Sequence, residues 1–169
     1  MSETELTAAQ QQEIMRRTGW SMAVVRYIRT MAEAELYMEA GLKEMYVNEK
    51  VALVQPRIDP KYVMPEWWIK EHGESWRGWT NADLMGEGYP AHDENGDPYE
   101  LHHIGQRQDS PFAELTWAEH MGDGNNTILH RVGKESEIDR GEFDGEKSAY
   151  WQARFRMFSK SELESIYSK

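Results

Sequence analysis

Four of the six histidines fall between positions 102 and 130. His102 and His103 are adjacent in YELHHIGQ, residues 99–106, and His120 and His130 follow. Imidazole is a common ligand for zinc and other transition ions, and it titrates near neutral pH. Residues 99–104 alternate as a strand does, and neighbouring strand side chains point to opposite faces. One imidazole of the pair is then free to enter a core or a metal site while the other faces elsewhere. Three ligands and one open position make a catalytic metal site rather than a closed structural one. A fourth histidine, close but unligated, can act as general base on a water. The plainer alternative is chance clustering around satisfied polar groups. The spacing of His102, His120 and His130 does not decide between the two, because it lacks the specificity of paired CxxC motifs.

The composition narrows the chemistry. The chain has 169 residues and no cysteine, so disulfides and thiolate ligands are excluded. Any metal is held by His, Asp, Glu or Asn. Hydrophobic residues make up 39% and charged residues 29%, the profile of a globular domain, and seven Trp and eight Tyr supply bulky core material. No apolar run approaches the roughly 20 residues of a membrane span, and the polar start MSETELTAAQ is no signal peptide. The net charge of −11 runs against simple polyanion binding, which rests on Lys and Arg. The acid is unevenly placed: residues 1–100 hold 18 Asp plus Glu against 10 Lys plus Arg, whereas 131–169 balance at eight each. The C-terminal third is therefore the expected place for a polyanion to dock.

The elements that must position the histidines are legible in part. TAAQQQEIMRR opens on Thr7 with Gln10 three residues on, a capping-box pattern, and Gly19 suits the helix end. Ser21 is expected to cap a helix through Val24, Val25 and Ile28, and Thr30 with Glu33 to open another that Gly41 closes. EMYVNEKVALVQ predicts a hairpin over 44–55 turning at Asn48-Glu49. The Trp-rich stretch PKYVMPEWWIKEHGESWRGWT, residues 60–80 with two prolines, reads as an irregular excursion whose rings cover the core, and TNADLMGEG as a short helix ended by Gly86 or Gly88. Asn95-Gly96 is the strongest turn dipeptide and predicts a second hairpin leading into strand 99–104, with His92 exposed beside the turn. Thr116 and Glu119 form a further capping box before His120. The C-terminal segment is helical, with Tyr150, Trp151 and Phe155 at helical spacing; these rings stack on bases or, more simply, fill the core. His72, among acidic neighbours, is read as a plain surface residue.

ELHHIGQ, SPFAELTWAEH and GNNTILH, in that order, resemble the LHH class of the HNH/endonuclease VII nuclease superfamily, with Leu101, His102 and His103 as the Leu-His-His. TGWSMAVVRYIRTMAEAELYMEAGLKE, TNADLMGEGYPAHDENGDPYELHH, KESEID and YWQAR extend the resemblance over most of the chain. Two features depart from the pattern: Ser110 or Pro111 falls near the place of the HNH asparagine, and 61–78 looks like an insertion.

The resemblance implies an α+β fold: N-terminal helices, small antiparallel hairpins, a ββα-metal (HNH-like) finger and a C-terminal helix. It implies a single nuclease domain over 1–169, with a helical and hairpin part over 1–88, the catalytic core over 89–135 and a helical part over 136–169. By similarity, His102, His120 and His130 are metal ligands and His103 is the base that deprotonates the attacking water. Gln106 and Asn126 orient catalytic groups. Glu100 steadies an imidazole or faces solvent; Asn125 is a further orienting residue; Arg107, Arg131 and Lys134 contact phosphates or are surface charge. The implied cofactor is a divalent ion, Zn²⁺, Ni²⁺, Mg²⁺ or Mn²⁺. The implied activity is endonucleolytic cleavage of DNA by a bacterial toxin effector in a bacterial cytoplasm, delivered as part of a larger toxin and matched by a cognate immunity protein, with no membrane partner. The competing readings are a zinc-stabilised binding module without catalysis and an acidic interaction or inhibitor protein.

Overall fold

The computed structural model describes residues 5–107, 109–122, 125–129 and 140–167. The chain divides into two units, each assembled from two separate stretches: Met1–Pro56 with Glu100–Asp139, and Arg57–Tyr99 with Arg140–Lys169. The α+β class expected from the sequence is the one observed. No helix among the described residues is long and apolar enough to cross a membrane.

The first unit begins with helices α1 (Ala8–Thr18), α2 (Met22–Val25) and α3 (Met31–Glu39). The Thr7–Gln10 capping box is complete, and Gly19 ends α1 at φ 79°. A cap of this kind contributes about 1 kcal/mol to an otherwise marginal helix. Of two further expected capping patterns, one is absent and one is half made. Ser21 makes no cap bond to α2; its N–H and hydroxyl both donate to the Glu44 carboxylate, at 2.7 and 2.8 Å. Thr30 accepts from the Glu33 N–H, but the Glu33 carboxylate turns inward rather than back to Thr30.

A four-stranded sheet follows in the order β1-β2-β4-β3, with β1 Lys43–Val47, β2 Lys50–Val54, β3 Glu100–His103 and β4 Phe112–Leu115. β1 and β2 form the hairpin expected at Asn48-Glu49, both turn residues having positive φ (54° and 64°). That is the two-residue turn whose twist matches paired strands, usually built with glycine. β4 pairs antiparallel with β3 and parallel with β2 through Leu53 and Ala113, so the sheet is mixed rather than a set of separate hairpins. The core gathers Ile14, Val24, Val25, Leu36 and Tyr37 from the helices and Trp20 from the α1–α2 connection with Leu53, Ile104, Ala113 and Leu115 from the sheet region. α6 (Trp117–Met121) and α7 (Asn125–Leu129) follow β4, and α7 adds Leu129 to the core.

The second unit corrects three expectations. The stretch 60–80 is not irregular throughout: it carries α4 (Glu66–His72) and a 3₁₀ turn at Glu74–Trp76. Its Trp68, Trp76 and Trp79 pack on a small core of Met64, Ile69 and Leu84. The Asn95-Gly96 dipeptide does not make a two-residue hairpin. Its first arm is only a bridge of His92 to Pro98, and β3 pairs with β4 instead. Asp93 organises this turn by accepting from the Asn95 and Asp97 N–H groups, at 2.9 and 3.0 Å, and only Gly96 takes positive φ. His92 is buried, not exposed. Its backbone is bracketed by Asn81 and its Nδ1 lies 2.7 Å from the Gly96 carbonyl. His72 stays at the surface, stacked on Trp68. α5 (Asn81–Gly86), capped by Thr80 and Asp83, packs on α8 (Arg140–Arg156). α9 (Lys160–Tyr167) ends the described residues. Tyr150 and Trp151 are buried against each other edge to face, which makes them core.

Candidate active site

β3 holds both histidines, and its pairing with β4 sorts them. His102 registers with Ala113 and Glu100 with Leu115, on the face that carries core residues. His103 registers with Phe112 and Leu101 with Glu114, on the opposite face. The separation inferred from strand periodicity therefore holds. Both imidazoles are nonetheless buried, His102 at 4% and His103 at 1% exposure. The His103 ring meets the Phe112 ring edge-on, at a centroid distance of 4.7 Å.

α6 carries His120 back to β3. The helix is short, and its start is set by the Thr116–Glu119 capping box, with both reciprocal bonds formed. Glu119 also accepts from the Gln55 side chain at 2.7 Å, which ties α6 to the end of β2. The result is a contact between three expected site residues. The His120 ring lies 5.2 Å from that of His102, and His120 Nδ1 is 2.6 Å from Glu100 Oε1. A carboxylate on Nδ1 fixes the ring's orientation and tautomer and turns Nε2 outward as a ligand. This pair of imidazoles, one of them steadied by a carboxylate, fits a divalent transition ion. Among the described residues no group of three or more His, Asp or Glu is gathered to hold a metal, and the third expected ligand, His130, lies outside the described residues.

The turn after the motif is held from the N-terminal helices. Gly105 has φ 68°, and a Cβ there would meet the Tyr27 carbonyl at 2.2 Å, so only glycine fits. Its N–H donates to Glu33 Oε2 at 3.0 Å, and its carbonyl accepts from Arg29 Nε at 2.6 Å. Glu33 is buried at 2% exposure and also accepts from the Arg29 N–H and the Tyr37 hydroxyl. Burial pushes its carboxyl above the ordinary range, and those hydrogen bonds oppose the shift. Gln106 follows at φ 58°, half-buried. Arg107 is half-buried too; its carbonyl accepts from Ser110, and its Nε is buried without a hydrogen-bond partner among the described residues.

Of the remaining expected residues, Asn125 donates to the Glu119 carbonyl at 3.0 Å and so joins α6 to α7. The Asn126 side chain, Arg131 and Lys134 lie outside the described residues. Sequence reasoning missed Glu33, Arg29, Gly105, Gln55 and Glu114. Glu114 is fully buried and accepts from the Gln55 N–H at 2.8 Å. Glu33 was disguised by standing where a capping box wants an acid; the glycine straight after a strand was the one signal that pointed to this turn.

Residues 80–157 match the model of the LHH family, described as a nuclease of the HNH/ENDO VII superfamily with conserved LHH. This stretch is similar to the LHH nucleases. The match takes in Leu101-His102-His103, His120 and the YWQAR segment and leaves out residues 1–79, where the N-terminal part of the resemblance lay. The LHH segment draws on both units. No curated protein and no solved structure matches the chain. An LHH nuclease acts on nucleic acid, and that is the substrate class the family implies here.

Proposed function

We propose that this chain is a metal-dependent endonuclease that hydrolyses phosphodiester bonds of DNA. The observation that carries the reading is the meeting of His102, His120 and Glu100 on one face of β3, within the LHH segment. His102 and His120, with His130, would hold the ion, Zn²⁺ or Ni²⁺ by ligand preference, with Mg²⁺ or Mn²⁺ as catalytic alternatives. Such an ion supplies charge neutralisation at the scissile phosphate and stabilises the leaving oxygen. Glu100 orients His120. His103 accepts the proton of the attacking water on an imidazole nitrogen. Gln106 and Asn126 orient the water or the base; Arg107, Arg131 and Lys134 contact the phosphate, and Asn125 supports them by joining α6 to α7. Residues 1–169 act as one nuclease domain in this reading, with 89–135 as its catalytic core. The biological role that goes with it is a bacterial toxin effector, delivered as part of a larger protein to a bacterial cytoplasm and restrained by an immunity protein. Only the resemblance supports that role.

The burial of His103 favours a second reading, a zinc-stabilised binding module. A base must meet water and phosphate, and 1% exposure leaves it little access. Plasmid cleavage by purified protein with Mg²⁺, Mn²⁺, Zn²⁺ or EDTA, beside His103→Ala, separates the two. The nuclease reading expects metal-dependent cutting that falls roughly 10²–10⁴-fold in the variant. A folded, metal-loaded protein that cuts neither DNA nor RNA would leave the binding module standing.

A further inference from the structure

A groove in the first unit, whose two cations come from outside the LHH segment, has the charge to meet a polyanion. It encloses about 430 Å³ between α2, the start of β2 and the loop before β4, and Arg26, Tyr27, Lys50, Asp109 and Pro111 are among its walls. Two cations face it. The Arg26 guanidinium lies 4.7 Å above the Tyr27 ring and donates to the Tyr27 hydroxyl at 2.6 Å, so it is held in place before any ligand arrives. Lys50 Nζ stands 5.9 Å from the Phe112 ring centroid. Neither cation makes an ion pair with a carboxylate among the described residues. That is informative where acids outnumber bases 18 to 10 over residues 1–100. Asp109 is the one acid in the lining. It is exposed, so water screens its charge.

The groove also leads to the motif. Pro111 accepts the Ile104 N–H at 3.0 Å, and the next residue, Phe112, packs on His103 at 4.7 Å. A chain of phosphates lying along Arg26 and Lys50 would therefore run beside the paired histidines.

We infer that Arg26 and Lys50 form a subsite for the phosphodiester backbone of the strand being cut, with Tyr27 as its aromatic wall. The inference rests on the nuclease reading and deepens it: the N-terminal helices and the first hairpin add substrate contacts to those proposed within residues 80–157. It also moves the expected docking region from the C-terminal third to residues 22–51.

The test is fluorescence anisotropy with a labelled DNA duplex and a single-stranded oligonucleotide, over a salt series, in a His103→Ala background that binds without cutting. Arg26→Gln with Lys50→Gln is expected to weaken binding about tenfold or more. It should reduce the slope of log K against log salt by about two, one contact per cation. Asp109→Asn, which needs no buried rearrangement, is expected to tighten binding about threefold. Binding with an unchanged salt slope in the double variant, its melting curve intact, overturns the subsite and leaves the nuclease reading in place. A parent protein that binds no nucleic acid, and a wild type that cuts none, overturn both. Should the groove take an acidic peptide but neither oligonucleotide, the inference fails in favour of a protein partner.

Discussion

Two regions of this molecule bury histidines, and they do so for different ends. In the second unit His92 is enclosed by a backbone carbonyl at 2.7 Å, by the Asn81 amide on its main chain and by the edge of Trp68 at 5.3 Å. Its direct hydrogen-bond partners close a turn, and Trp68 packs on the ring. In the first unit the buried His102 lies 5.2 Å from the half-buried His120, which meets a carboxylate at 2.6 Å. Those are groups that share a cation or a proton and gain little from packing on each other. Burial alone therefore does not mark function; the chemistry of the neighbours does.

The largest expected effect tests that contrast directly. His120→Ala should lower metal-dependent cleavage at least 100-fold and remove stoichiometric metal binding, as read by calorimetry. His92→Gln, which can still donate to the Gly96 carbonyl, should keep activity within about threefold. A folded His92→Gln that is inactive would break the comparison. Glu100→Gln comes next. Losing the carboxylate that orients a liganding histidine typically costs ten- to a hundredfold in metal affinity, measurable by chelator competition. Unchanged affinity would make Glu100 an ordinary strand residue.

Glu33→Ala probes the clamp on the motif's turn. It leaves two buried donors, on Gly105 and Tyr37, and a part-buried one, on Arg29, without their acceptor. At about 1–3 kcal/mol for each orphaned group, partly relieved by water, the loss is expected to be roughly 3 kcal/mol in urea unfolding. A loss below about 1 kcal/mol would show that Gly105 is held by backbone packing instead.

The pH dependence sharpens the contrast from the other side. Burial, first of all, lowers the His92 value below the ordinary 6.5, while the Gly96 carbonyl and nearby carboxylates oppose the shift. Between the folded value and 6.5 the unfolded chain binds more protons, so stability rises with pH in that window. The contribution is fully present above about 6.5 and is lost as pH falls through the folded value. Wild type should therefore lose more of its urea midpoint between pH 7 and pH 5 than His92→Gln does. Parallel curves would mean that His92 titrates normally.

How much of this was legible follows from the range of each signal. Caps at Thr7 and Thr116 are local, three residues wide, and were read correctly. The opposite faces of His102 and His103 follow from strand periodicity alone. Pairing partners are not local. Asn95-Gly96 pointed to a hairpin, but Asp93 captured the turn's N–H groups and β3 took β4 as its neighbour. The contact of Glu33 with Gly105 spans 72 residues, and no periodicity encodes it. The His120–Glu100 contact depends on α6 folding back over β3, which the resemblance implied and spacing did not.

The smallest effect expected comes from the turn of the first hairpin. Asn48 and Glu49 both take positive φ in the β1–β2 turn. Asparagine tolerates that conformation, whereas glutamate loses roughly 1–2 kcal/mol to the clash of its Cβ with the carbonyl. Glu49→Gly removes the clash but adds unfolded-state entropy of about 0.5–1 kcal/mol, so the net gain should be near 0.5–1 kcal/mol. For a chain of this length that is a rise of about 1–4 °C in melting temperature. β2 joins the LHH hairpin through Leu53 and Ala113, so the substitution stiffens the sheet beneath the site without changing a site residue. Combined with Glu33→Ala, it should restore part of the lost stability. If cleavage recovers in step, Glu33 acts only by keeping the unit folded. If stability returns and kcat stays low, Glu33 positions the turn that carries Gln106, and the site reaches back into the N-terminal helices.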